Sequence, residues 1–231
     1  SDEWIQERTG IKERRYAHRT EETTTTMGVK AAEVAMQRAG VTAKDIDFIV
    51  FATLSPDYYF PGCGVLLQRA MGMGEIGALD VRNQCSGFVY AISVADQFIK
   101  TGMYKNILVV GAEKHSFGLD QTTRGRNITV IFGDGAGAVV LQPTEETGRG
   151  ILSTHLHSDG GSAEILAMYN PGTHANHWMK ENPVADFDDA ELGQMFMSHA
   201  MIDKAQNFPN MDGPAVFKKA VVKFPEVILE A

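Results

Sequence analysis

The stretch Ala78-Leu-Asp-Val-Arg-Asn-Gln-Cys-Ser-Gly-Phe-Val-Tyr-Ala-Ile-Ser-Val-Ala-Asp-Gln-Phe-Ile-Lys100 decides the fold. Its first four residues read as a strand. Phe88 to Lys100 then carries apolar residues at helical spacing until Gly102 ends the run. Ile107 to Gly111 follows as a short, almost wholly apolar strand of the kind buried on both faces. Strand, helix, strand is the unit of a parallel sheet with helical crossovers. Toward the N-terminus, Ile46 to Thr53 repeats the buried-strand pattern and Gly64 to Met71 reads as a helix. Thr23 to Gly40 reads as a longer helix, with Thr26 as N-cap and Gly40 just past its end. Toward the C-terminus, Ala136 to Leu141 and Ile151 to His157 read as two consecutive antiparallel strands. The class is α/β.

Residues 158–210 break that rhythm. They are rich in His, Pro, Asn and Asp and show no sustained period until Leu192 to Ala205, so an excursion over the surface with one helix is expected. Pro214 to Leu229 is a last, incomplete amphipathic helix. The 231 residues are 44% hydrophobic and 22% charged, enough for a packed core in one large domain or two small ones. The uncharged run Asn83 to Ala95 is too short to span a bilayer, and the chain opens on Ser-Asp-Glu-Trp rather than a basic and then apolar leader. A net charge of −8 argues against a general nucleic-acid binder. Two cysteines in different contexts do not make a disulfide framework. A cytoplasmic protein with neither membrane nor nucleic-acid partner is expected.

The sharpest chemical signal is Cys85, at the turn from the strand ending near Val81 into the helix beginning near Ser86. Unpaired N–H groups and the helix dipole at such a turn favour a thiolate. Two readings stay open at this point: a nucleophile, or a small buried hydrophobe. Cys63, within Pro61-Gly-Cys-Gly64, reads as structural. Two glycine patterns mimic nucleotide-binding loops. Gly72-Met-Gly-Glu-Ile-Gly77 and Gly133-Asp-Gly-Ala-Gly137 both lead into strands, whereas a dinucleotide fingerprint leads into a helix. Close packing of backbones between adjacent strands explains the second better. The seven histidines form no metal-ligand motif, so no metal site is expected, and no GxSxG elbow supports a serine hydrolase. Trp4, Arg8, Arg14, Arg15 and Arg19 form a basic, aromatic N-terminal segment, with Arg124 and Arg126 in another loop. An indole and a guanidinium can sandwich a purine; a solvated basic surface is the plainer reading.

Four blocks carry a family resemblance in the right order. Ser1-Asp-Glu-Trp-Ile-Gln-Glu-Arg-Thr-Gly-Ile-Lys-Glu-Arg-Arg15, Cys85-Ser-Gly-Phe-Val-Tyr-Ala-Ile-Ser-Val-Ala-Asp96, Ile131-Phe-Gly-Asp-Gly-Ala-Gly-Ala-Val-Val-Leu141 and Ser153-Thr-His-Leu-His-Ser-Asp-Gly160 resemble β-ketoacyl-acyl-carrier-protein synthase III. The resemblance implies a thiolase-like α/β fold of two halves about a pseudo-twofold. Residues 1–160 would form the N-terminal half, without its first strand, 161–210 an insertion, and 211–231 the start of the second half. It implies a homodimer that transfers an acyl group from acyl-CoA to Cys85, then condenses it with malonyl-acyl-carrier protein. No resident cofactor is implied, because the CoA thioester is a substrate. Trp4 and Arg124 match the residues stacking on the CoA adenine, Arg8 a phosphate contact, Met211 and Phe217 the pantetheine tunnel, and Lys218 its charged end. Phe60 matches a residue that a partner subunit gives to the acyl pocket, and His115 falls where a smaller apolar group often borders it.

The family's second half supplies a His and an Asn for decarboxylation, and the expectation is that both lie beyond this chain, which is read as a fragment. His174-Ala-Asn176 is only superficially similar to one of those motifs, and Pro214 replaces a pantetheine-binding Asn. Relatives that condense two acyl-CoAs, in olefin, quinolone or hydroxymethylglutaryl synthesis, share the cysteine block. A non-catalytic acyl-CoA or carrier-protein binding module is the alternative from outside the enzymes.

Overall fold

A computed structural model describes residues 1–173, 197 and 199–231. The chain divides into two compact units, a sheet unit (Glu13–Phe117 and Gly133–Leu156) and a second unit (Ser1–Lys12, Gly118–Phe132 and His157–Glu230). With elements numbered in chain order, the sheet unit holds α2 (Thr24–Ala39), β1 (Phe48–Ala52), α3 (Cys63–Ala70), β2 (Gly77–Val81), α4 (Gly87–Lys100), β3 (Ile107–Lys114) and β4 (Asp134–Leu141). The strand order is β2-β1-β3-β4. Parallel pairing joins β1 to both β2 and β3, and β4 runs antiparallel to β3.

All five residues of β1 are buried, which explains its unbroken apolar sequence. Alternation divides them between two layers. Ile49 and Phe51 pack with Leu108, Val110 and Ala32 of α2 on one face, and Phe48, Val50 and Ala52 pack with Val109, Ala91 and Ala95 of α4 on the other. The α2 helix is fixed at its start by a capping box. Thr23 Oγ1 accepts the Thr26 N–H at 3.2 Å, and Thr26 Oγ1 accepts the Thr23 N–H at 2.8 Å. The N-cap is thus Thr23 rather than Thr26, because the reciprocal bond needs hydroxyls three residues apart at the very first turn. Gly40 ends the helix in the left-handed region, φ 68°, as expected.

The strand expected over Ile151–His157 does not form. Ser93 Oγ on α4 donates to Thr154 Oγ1 at 3.3 Å, so this segment is tied to the helix layer and takes no place in the β3–β4 ladder. A strand exists only as part of a pair, and alternation in sequence does not supply the partner.

The second unit contains α1 (Asp2–Thr9), α5 (Arg126–Thr129), β5 (Leu166–Ala167), α6 (His199–Asp203), β6 (Asn210–Met211) and α7 (Gly213–Glu230). β5 and β6 pair antiparallel, with Leu166 opposite Met211. Asp212 caps α7 by accepting the Ala215 N–H at 3.0 Å, and Pro225 lies inside the helix, where it removes one backbone donor. Of the helix expected over Leu192–Ala205, residues 192–196 and 198 lie outside the described residues.

Asp80 on β2 holds the start of α3. Its carboxylate accepts the N–H of Cys63 at 2.6 Å and of Gly64 at 2.9 Å. A Cβ at Gly62 would sit 2.4 Å from the Asp80 carboxyl carbon, so only glycine fits beneath it. Asp80→Ala is expected to cost about 1–2 kcal/mol in urea unfolding. Gly62→Ala should cost a similar amount by displacing the same carboxylate, and the double variant should cost little more than either alone.

Candidate functional site

Cys85 sits at the middle of a single tight turn, Gln84–Ser86, between β2 and α4. The residue before it, Gln84, has φ 43°, the left-handed region that a side chain enters only at a cost. That bend brings the chain out of the sheet and straight into α4, leaving Cys85 exposed. Ser86 turns its hydroxyl back, accepting from Asn83 Nδ2 at 3.3 Å and donating to the Asn83 carbonyl at 3.4 Å. No side chain therefore caps α4, whose first N–H, that of Gly87, donates to the Gln84 carbonyl within the same turn. Cys63 is the opposite case: it is fully buried, and that burial pushes its thiol up. The two cysteines thus differ in exposure.

A groove of about 320 Å³ opens at Cys85. Ala52 and Leu54 line it from the end of β1, Phe88 from α4, and Gly111 to Glu113 from β3. Gly135, Ala136 and Gly137 of β4 complete the wall. Gly111 is required here, since a Cβ would lie 2.9 Å from the Phe88 ring. Gly135 and Gly137 have nothing within 4 Å of where a Cβ would be, so the groove floor is bare backbone. The glycines of this motif serve packing and space. Gly133 presses on the Arg15 carbonyl, and Asp134 accepts the Ala17 N–H at 2.8 Å and the Ser116 N–H at 2.7 Å.

His115 borders the same groove with Glu113, its Nε2 3.6 Å from Glu113 Oε2. The Glu113 carboxylate is anchored from the far side by the N–H of Leu54 (2.8 Å), the N–H of Ser55 (3.2 Å) and the Ser55 hydroxyl (2.5 Å). Glu113 escaped the sequence reading. Its only signal was a charge at the end of an otherwise apolar strand.

Phe60, also in the sheet unit, is 80% exposed and is not among the groove residues. In the second unit, the N-terminal segment forms α1, which the sequence reading missed although Ser1 caps it by accepting the Trp4 N–H. Helical spacing puts the Arg8 guanidinium 4.4 Å above the Trp4 ring, so one indole face carries a cation from its own helix. Arg124 lies over Phe208 at 5.7 Å and donates through Nε to Asp120 at 2.6 Å. Asp120, a second residue missed, is buried and also accepts the Thr122 N–H at 3.0 Å and hydroxyl at 2.7 Å. Met211 lies on β6, Phe217 is 68% exposed on α7, and Lys218 lines a cavity of about 370 Å³ with Lys219 and Lys223.

His155 contacts Ser153 at 3.0 Å and does not line the groove, and His157 pairs with Glu230 at 2.7 Å. His174 and Asn176 lie outside the described residues. Among the described residues, no cluster of three His, Cys, Asp or Glu could hold a metal, and no helix is long and apolar enough to cross a membrane.

Three comparisons bear on this arrangement. The profile of the 3-Oxoacyl-[acyl-carrier-protein (ACP)] synthase III family matches residues 79–160. A Beta-ketoacyl-[acyl-carrier-protein] synthase III of Sulfurovum sp. (strain NBC37-1) is 39% identical over 222 residues, covering 96% of this chain and 58% of that protein. The same enzyme of Xanthomonas euvesicatoria pv. vesicatoria (strain 85-10) is 52% identical over 166 residues, 72% of this chain and 50% of that one. The crystal structure of 3-oxoacyl-[acyl-carrier-protein] synthase III from Aquifex aeolicus VF5 matches all of this chain and 62% of its own, with a TM-score of 0.79 and 37% identity. The chain spans about half to three-fifths of the length of these relatives.

The Thr122 hydroxyl, then the Arg124 guanidinium and the Thr122 N–H, hold the Asp120 carboxyl below its usual range. A carboxylate depressed on folding stabilises above its unfolded pKa, and that contribution is lost as pH falls through its folded one. Thermal unfolding of Asp120→Asn should therefore start from a lower Tm at neutral pH. It should also fall less steeply than wild type as pH is lowered through and below the carboxylate range.

Proposed function

This chain belongs to the β-ketoacyl-[acyl-carrier-protein] synthase III family, and from that membership we propose that its protein performs the initiating condensation of fatty-acid synthesis. Cys85 is the acyl acceptor. Its sulfur, as thiolate, attacks the carbonyl of an acyl-CoA; the bond from the acyl carbon to the CoA sulfur breaks. The CoA thiolate leaves and takes up the proton that Cys85 gave, so one thioester replaces another. The family resemblance assigns the Cys85 backbone N–H, at the turn into α4, to the oxyanion that forms on the way. The acyl group then condenses with malonyl-acyl-carrier protein as carbon dioxide leaves, in a homodimer in the cytoplasm.

The observation that carries the proposal is an exposed cysteine on a strained turn, at an uncapped helix start, opening on a groove lined mainly by small and apolar residues. The family resemblance assigns the CoA contacts to Trp4, Arg8 and Arg124, the pantetheine contacts to Met211 and Phe217, and a charged contact to Lys218. It assigns Phe60 of a second copy to the acyl pocket, together with His115.

Intact-protein mass spectrometry after incubation with acetyl-CoA should find one acetyl adduct, absent from Cys85→Ser. An adduct that persists in that variant, or maps to Cys63, overturns the assignment. Trp4→Ala or Arg124→Ala should weaken CoA binding by about 1–2 kcal/mol, the scale of a stacking contact, while acyl-pantetheine binding stays nearly constant. Equal losses for both ligands would instead mean a general structural defect.

A further inference from the structure

An exposed arginine normally samples many rotamers, and fixing one of them costs entropy. The Arg124 side chain is 58% exposed, yet it is held from two directions. Within its own loop, its Nε donates to Asp120 Oδ2 at 2.6 Å, and the Asp120 side chain is only 7% exposed. Asp120 is itself tied down. Its Oδ1 accepts the Thr122 N–H at 3.0 Å and hydroxyl at 2.7 Å, and its carbonyl accepts the Thr129 hydroxyl at 2.7 Å. The residue after Arg124 must be glycine, since a Cβ at Gly125 would overlap the Asp120 carbonyl oxygen. From outside the loop, in the segment leading to β6, Phe208 sets its ring against the guanidinium, whose carbon is 5.7 Å from the ring centroid. The carboxylate thus grips the guanidinium by one edge and the ring supports one face. A clasp that only closed the loop would need the ion pair alone. Edge and face together orient a flat cation, with its second face left for another planar ring.

We propose that Asp120 and Phe208 are positioning residues for the adenine of CoA: together they hold the Arg124 guanidinium in place as one wall of the site before the ligand arrives. This rests on the reading of Arg124 as an adenine contact and extends it to two residues that act through it. Without them Arg124 keeps its charge and its reach, but its rotamer has to be fixed on binding. For a side chain as free as arginine, that ordering lowers affinity by about fivefold. The loss falls on the adenosine end of the ligand and spares the pantetheine arm.

The test is a set of double-mutant cycles on the purified full chain, with CoA and 4′-phosphopantetheine, which lacks the adenosine, as probes in isothermal titration calorimetry. The readout in each variant is the ratio of the two Kd values, so a partly unfolded sample cancels. Arg124→Ala should weaken CoA about tenfold and leave 4′-phosphopantetheine nearly unchanged. Asp120→Asn keeps the shape and loses the charge, and Phe208→Leu keeps apolar volume and loses the ring. Each should weaken CoA about fivefold and the smaller probe little. In the Arg124→Ala background neither substitution should move the ratio further, whereas a merely structural effect would survive there. An unchanged ratio in either single variant, or a loss that persists without Arg124, overturns the inference and leaves Arg124 standing as an adenine contact. A ratio that Arg124→Ala leaves unchanged, or wild type that binds CoA no tighter than the smaller probe, overturns that reading, and the inference with it.

Discussion

The sheet unit depends on the burial of β1 from both sides. Phe48 to Ala52 has no solvent face, so successive side chains must satisfy two helix layers at once, α2 and α3 on one side and α4 on the other. That constraint fixes the register of β2 and β3 on either side of it, because a slip of one residue would exchange the two sets of side chains. It therefore also fixes where β2 ends. The turn that presents Cys85 follows directly, and Ala52 and Gly111, at the ends of the two central strands, become the inner wall of its groove.

What sets Cys85 apart lies in the backbone. Gln84 is forced into the left-handed region, the Ser86 hydroxyl is turned away from the helix it precedes, and α4 begins without a side-chain cap. Each feature is locally unfavourable, and together they hold an exposed sulfur at the start of a helix with no side-chain cap. Cys63 shows the alternative. It has the same side chain, is fully enclosed, and its thiol is driven toward the protonated form.

Much of this was legible in the residues. The apolar runs at 46–53 and 107–111 and the helical spacing of 88–100 are long, uniform signals, and the elements stand where those signals lie. Cys85 was legible as a turn residue, though the strain at Gln84 was not, since nothing in a glutamine announces a positive φ. The error at Ile151–His157 has a different origin: alternation there was real, but pairing is decided by a partner, and Thr154 is bonded to the α4 layer. Glu113 and Asp120 were overlooked because their roles come from donors brought from elsewhere. Glu113 is anchored by Leu54 and Ser55, nearly sixty residues away in sequence. The α1 helix was hidden by its polarity: among its residues none is buried, so no apolar stripe marks it.

The central claim is that the two cysteines differ in kind, and that Cys85 is the one acyl groups reach. Quantitative alkylation mapping tests it most directly: the native protein is treated with iodoacetamide at neutral pH, with and without prior incubation with an acyl-CoA, and the label is located by peptide mass spectrometry. The account predicts labelling at Cys85, protection of Cys63 until the protein is unfolded, and loss of the Cys85 label after acyl-CoA. Comparable labelling of both cysteines, or a Cys85 label that acyl-CoA leaves unchanged, would contradict it.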